Sequence, residues 1–129
     1  MNENLKNKII EAAESLDWKV TLKENYACFE SFSVEGEDVI IEICKDSYTF
    51  DDILEEVENT YEDFDSDSHA VMWYMTHGSN GAPTDLRTLL NDAEVVKAMY
   101  ENLYLCLYEI LLDDKNDKKK RVNKLHEML

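Results

Sequence analysis

The chain has 129 residues, 44% of them hydrophobic, and a formal net charge of −16 at neutral pH. That length sets the expectation of a single domain over residues 1–129, and the apolar fraction with two Trp argues for a packed core rather than disorder. So negative a chain is not expected to bind nucleic acid or an anionic membrane, and it favours basic protein partners.

The first expected element is a helix over residues 3–16. Leu5, Ile9, Ile10, Ala12 or Ala13 and Leu16 give it one apolar stripe, and Asn2 or Asn4 supplies its cap. Asp17-Trp18 ends it. Three strands follow, near residues 19–22, 27–34 and 39–45, joined by turns at Lys23-Glu24-Asn25 and Glu35-Gly36-Glu37-Asp38. The third, VIIEICK, is the most β-branched run of the chain. In the second, Phe29, Phe32 and Val34 do not alternate, which suggests a bulge. The expectation is an antiparallel meander with the first helix packed on one face.

Residues 50–67, FDDILEEVENTYEDFDSD, carry apolar side chains at Phe50, Ile53, Leu54, Val57, Tyr61 and Phe64. This is the spacing of a helix with one buried face, capped by Ser47 or Thr49. Its remaining positions hold Asp51, Asp52, Glu55, Glu56, Glu58, Glu62, Asp63, Asp65 and Asp67. Between Lys45 and Arg87 there are eleven Asp or Glu and no Lys or Arg. Asp51–Glu55, Asp52–Glu56 and Glu58–Glu62 are like-charged pairs at i,i+4, which destabilise a helix. About 18 Å of helix, at ~1.5 Å per residue, separates Asp51 from Asp63. Duplex DNA carries about ten charges over that length, and this helix carries seven. Two readings follow: a phosphate-like strip for a protein site that normally holds nucleic acid, or a solvated acidic face that confers solubility.

A short helix is expected over residues 68–77. Its sequence HAVMWYMTH is apolar nearly all round, which suggests burial on most sides with Trp73 at the centre of the core. Gly78-Ser79-Asn80-Gly81-Ala82-Pro83 reads as a loop, and Thr84 as the cap of the longest helix, whose apolar stripe runs from Leu86 to about Leu112. Residues 113–117 read as a polar break, and residues 115–129 as a basic tail or short helix. The charge is correspondingly uneven: 27 acids against 7 Lys and Arg over residues 1–114, and 2 against 6 over residues 115–129. The C-terminal cluster at Lys118, Lys119, Lys120 and Arg121 is too small against this body to make a nucleic-acid site. Pairing with an acidic surface of the same protein or of a second copy is the simpler role.

Chemistry finds little support. His69 and His77 are eight residues apart rather than i,i+4, and neither CxxC nor HExxH occurs, so no metal is expected. Cys28, Cys44 and Cys106 lie among apolar or aromatic residues and read as buried free thiols. The loop before the longest helix lacks the GxGxxG and GxxxxGK[ST] patterns of phosphate sites. No catalytic residue and no cofactor are assigned, and a non-enzyme is expected. No apolar run approaches the ~20 residues that cross a bilayer, and MNENLKNKII lacks the pattern of a signal peptide, so a cytoplasmic location is expected.

The segment Phe64-Asp65, His69 and Trp73, then Asn80-Gly81 and Pro83, then Arg87-Leu89-Asp92-Ala93-Glu94 resembles small acidic proteins carried by phages and conjugative elements of gut bacteria. The likeness covers about the last two-thirds of the chain and implies a mobile-element origin and a bacterial host. Helix, three-stranded antiparallel sheet and acidic helices in that order also resemble DNA-mimic anti-CRISPR proteins, and the charge is similar to that of anti-restriction mimics. The fold class expected is α+β: an N-terminal helix, a three-stranded antiparallel sheet, then three to four helices. The function these likenesses imply is inhibition of a basic nucleic-acid-binding protein, a CRISPR effector or a restriction enzyme. The nine acids at Asp51, Asp52, Glu55, Glu56, Glu58, Glu62, Asp63, Asp65 and Asp67 would be the partner-binding face, with Glu35, Glu37 and Asp38 as second-line candidates. Two rivals stay open. One is an adaptor or dimeric assembly factor that uses a seam of Tyr100, Tyr104 and Tyr108. The other is an enzyme with a carboxylate-bound Mg²⁺.

Overall fold

A computed structural model describes the backbone over residues 1–80 and 85–127 and the side chains over residues 1–76 and 85–116. The order is α1 (Glu3–Glu14), β1 (Lys19–Lys23), β2 (Tyr26–Phe32), β3 (Asp38–Cys44), α2 (Phe50–Asp63), α3 (Ser66–Asn80) and α4 (Leu86–Glu127). This is the expected α+β arrangement.

Asn2 caps α1, its side-chain oxygen accepting from the Leu5 N–H at 2.7 Å. The helix ends in a Schellman motif. The Trp18 N–H donates to the Ala13 carbonyl at 3.1 Å and the Asp17 N–H to the Glu14 carbonyl at 3.0 Å. Asp17 therefore sits at φ 67°, where glycine is usual. The reversal tucks Trp18 into the core at 2% exposure, with its ring stacked 6.4 Å from that of Tyr100.

The strands form one antiparallel sheet in sequence order. Pairing of β2 with β3 runs unbroken from Tyr26 opposite Cys44 to Phe32 opposite Asp38, so the bulge expected over residues 27–34 does not form. Alternation instead puts Ala27 and Phe29 inside and Phe32 outside, and Val34 lies in the turn beyond the strand. Both misfit side chains are exposed, at 70% and 79%. Ser31, on the inner parity, donates its hydroxyl to the Asp17 carbonyl at the sheet end. In the β2–β3 turn the Ser33 N–H donates to the Glu37 carbonyl, the Ser33 hydroxyl accepts from the Glu37 N–H, and Gly36 takes φ +88°.

Phe29, Val39, Ile41 and Ile43 of the sheet, Ile9 of α1, Ile53 and Val57 of α2, and Leu103 and Leu107 of α4 make one core. Of the cysteines only Cys28 is buried; Cys106 is half-buried and Cys44 exposed, because strand parity turns Cys44 outward with Ile40 and Glu42.

Three further expectations need correction. Helix α3 continues through Gly78, Ser79 and Asn80, so the loop begins later; residues 81–84, including Pro83 and the expected cap Thr84, lie outside the described residues. The cap that is described is Asp85, whose carboxylate accepts from the Arg87 N–H and the Thr88 hydroxyl. Helix α3 is not buried on most sides, since it packs mainly on α4, leaving Met72 66% and Met75 75% exposed. Trp73 is half-buried on a small cluster of Ala70, Leu89 and Ala93, away from the main core. Finally, α4 is one helix of 42 residues, about 63 Å long at ~1.5 Å per residue, with no break at residues 113–117. That polar stretch, DDKND, contains neither Gly nor Pro to stop a helix.

Candidate protein-binding face

Helix α2 begins with a full capping box. The Thr49 hydroxyl accepts from the Asp52 N–H at 3.2 Å, and the Asp52 carboxylate accepts from the Thr49 N–H at 2.8 Å. Lys45 pairs with the same carboxylate at 3.0 Å. The Thr49 N–H, then Lys45, hold the Asp52 carboxyl below its ordinary range. Phe50, Ile53, Leu54 and Val57 face the core. Helical spacing sorts the acids into two rows flanking that stripe. Asp51, Glu55, Glu58 and Glu62 recur at i, i+4, i+7 and i+11 along one side, and Asp52, Glu56 and Asp63 run along the other.

These acids are not equivalent. Asp51, Glu55, Glu56, Glu62 and Asp63 are exposed. Glu58 is half-buried beside Tyr104, and its carboxylate holds that phenol above its ordinary range. Asp65 and Asp67 do not belong to α2, because the chain turns at Phe64. Asp65 accepts from the Ser68 N–H at 3.2 Å, and its carboxyl is lowered by that bond. Asp67 is exposed in the first turn of α3. Of the nine, then, Asp52 and Asp65 have local structural work and Glu58 has a partner across the α2–α4 seam.

The elbow between α2 and α3 adds two open hollows. One, of about 490 Å³, is walled by Glu62, Asp63, Asp65, Asp67 and Glu94, with Lys97 as its cation. Lys97 also lies over the Tyr61 ring at 5.6 Å, and the Glu101 carboxylate holds the Tyr61 phenol above its ordinary range. The other, of about 540 Å³, lies where α3 passes the β2–β3 turn and shares Asp63, Phe64 and Asp65. The fold brings Glu37 there from the turn, its carboxylate against the His69 ring. The Glu35 N–H donates to the buried Asp92 carboxylate at 3.1 Å, so α3 and α4 both latch the turn. Glu35 and Asp38 are exposed beside it.

Phe64 links the two regions: its ring meets His69 at 4.9 Å and the edge of Tyr100 at 5.5 Å. Glu94, Lys97, Met72 and Trp73 had not been assigned to a site from sequence. The signal was available in HAVMWYMTH, since a helix apolar all round with only one packed side must expose apolar surface. Among the described residues no group of three or more His, Cys, Asp or Glu is placed to hold a metal ion, and no helix is long and apolar enough to cross a membrane. Comparison with protein-family models, curated proteins and solved structures finds no match to this chain.

Proposed function

We propose that this chain is a non-enzymatic inhibitor of a basic nucleic-acid-binding protein of host defence, a CRISPR effector or a restriction enzyme, acting as a DNA mimic through α2. The observation that supports this is the pair of carboxylate rows on α2, seven acids over about 18 Å with no cation on the helix itself, five of them (Asp51, Glu55, Glu56, Glu62 and Asp63) exposed. Carboxylates so placed accept charge-assisted hydrogen bonds from Arg and Lys that otherwise hold phosphates. Their summed field steers association at low salt. The helix keeps the rows in register because the apolar stripe and the Thr49–Asp52 capping box anchor it, independently of the five exposed acids. The test is displacement of labelled duplex DNA from a guide-loaded CRISPR effector nuclease and from a restriction endonuclease. The proposal expects displacement from at least one of them, weakening as salt rises. No displacement from either at micromolar inhibitor overturns it.

The adaptor reading keeps one specific observation in its favour, although its seam moves. Tyr100 is buried against Trp18 and Phe64, and Tyr104 stacks on Tyr108, so those three tyrosines do not form one open row. Leu105, Tyr108 and Leu112, at i, i+3 and i+7 on α4, are each 41–50% exposed and make the apolar row a second helix would cover. Concentration-dependent mass that is lost in Leu105→Lys would favour it.

A further inference from the structure

We propose that the groove between α3 and the β2–β3 turn docks a basic segment of a protein partner, one that inserts an arginine side chain with apolar residues on either side. The groove has three chemical elements. Asp63 supplies an exposed carboxylate, while Asp65, which also accepts from the Ser68 N–H, and Glu37, which also meets the His69 ring, keep further lone pairs for a donor; Phe64 and Trp73 supply ring faces, and Met72 supplies an adaptable apolar wall. Carboxylates beside aromatic faces match the planar guanidinium, which pairs in a fork and stacks at once; an ammonium pairs only as a point charge and has no plane to stack. Anionic ligands, including phosphates and lipid headgroups, are repelled by the same residues.

Apolar flanks are called for by what surrounds the charge. Val71, Met72 and Met75 of α3 are 42%, 66% and 75% exposed, an unusual display for a helix in a chain of net charge −16. Solubility alone would place polar side chains there. Mimicry and docking are separable. The rows on α2 present many equivalent charges to an array of cations, whereas this groove selects one side chain and its neighbours, and it stands whether or not α2 acts as a mimic.

The experiment uses the full chain and three Trp-free decapeptides: alternating Leu and Arg, alternating Ala and Arg, and alternating Leu and Lys. Affinity is read by calorimetry at 0.15 M salt, where screening over about 8 Å suppresses contributions from distant charges. Location is read from the change in Trp emission between the parent and Trp73→Phe, since Trp18 also emits from the core. The Leu/Arg peptide is expected to bind about tenfold more tightly than the Ala/Arg peptide, the contribution of roughly one buried apolar side chain. It is also expected to bind more tightly than Leu/Lys and to perturb Trp emission. Met72→Ser is expected to remove most of the Leu/Arg advantage without changing Ala/Arg binding, and Asp63→Asn to weaken both Arg peptides. Both positions are exposed, and Phe32→Ser on the outer sheet face is the control for a different apolar patch. Equal affinity for the Leu/Arg and Ala/Arg peptides, or a loss caused by Phe32→Ser but not by Met72→Ser, overturns the proposal. Equal affinity for the Leu/Arg and Leu/Lys peptides overturns its assignment to arginine.

Discussion

The sharpest test of the acidic face is a variant that removes charge without touching structure: Asp51→Asn, Glu55→Gln, Glu56→Gln and Glu62→Gln together. Asp52 and Glu58 are left alone, because one closes the capping box and pairs with Lys45 and the other is half-buried beside Tyr104. The four substituted side chains are exposed. The change dissolves the like-charged Asp51–Glu55, Asp52–Glu56 and Glu58–Glu62 pairs, each relieving ~0.2–0.5 kcal/mol. It also gives up the favourable interaction of Asp51 with the helix N-terminus, about 0.3–1 kcal/mol. The relief offsets or slightly exceeds that loss, so the melting midpoint is expected to move by no more than about 5 °C. Binding is a different matter. Four contacts to Arg or Lys at about 0.2–1 kcal/mol each amount to roughly 0.8–4 kcal/mol, from fourfold to almost a thousandfold in affinity. DNA displacement by the variant is therefore expected to fall steeply, with a shallower dependence on salt. A variant that melts like the parent and displaces DNA equally well, with the same salt dependence, refutes mimicry by this helix.

Other outcomes follow from single elements. Thr49→Ala is expected to cost about 0.5–2 kcal/mol by opening the cap of α2, read as a lowered urea midpoint. Asp52 and Asp65 have lowered carboxyl pKa values in the fold. Their stabilisation is therefore complete above the ordinary value of 3.8 and is lost as pH falls through the lower folded values. The stability gap between the parent and Asp52→Asn should accordingly be open at pH 7 and close in strongly acidic solution. Asp17→Gly is expected to raise stability by up to about 1 kcal/mol, because a non-glycine residue pays for φ 67° and an acid there opposes the helix dipole. Leu103→Ala, in the main core, should cost about 2–5 kcal/mol, and Trp73→Ala distinctly less; equal losses would place Trp73 in a core that the contacts do not give it.

What was legible from residues alone follows a physical pattern. Strand β3 was readable because Val39, Ile41 and Ile43 alternate with exposed side chains and β-branched residues fill the run. The α2 stripe was readable because its period is 3.6 and its cap is a local motif. Helix α3 misled because apolar content reports what a helix could bury, not how many neighbours come to bury it. The break expected after Leu112 rested on polarity, and polar residues without Gly or Pro do not end a helix. The groove was not legible. Glu37 and residues 63–76 meet only because the hairpin turn folds against α3, and no spacing in the chain encodes that approach. The double role of Asp52 was likewise hidden among equally spaced acids until the Thr49 N–H reached its carboxylate.

The position of α4 has a consequence for how the molecule is made. Leu103 and Leu107 close the core over Phe29 and Ile53, yet they are among the last core residues to be synthesised. At ~5–20 residues per second, Leu103 follows Phe29 by roughly 4–15 s. During that interval the sheet and α2 exist as chain with their apolar side unroofed, the situation in which nascent proteins stick to one another. The carboxylates of α2 are already present on the same segment, and mutual repulsion between growing chains protects it until the last helix arrives. Like charge on the unroofed segment thus opposes association during the interval before the last helix is made, whatever the finished surface does.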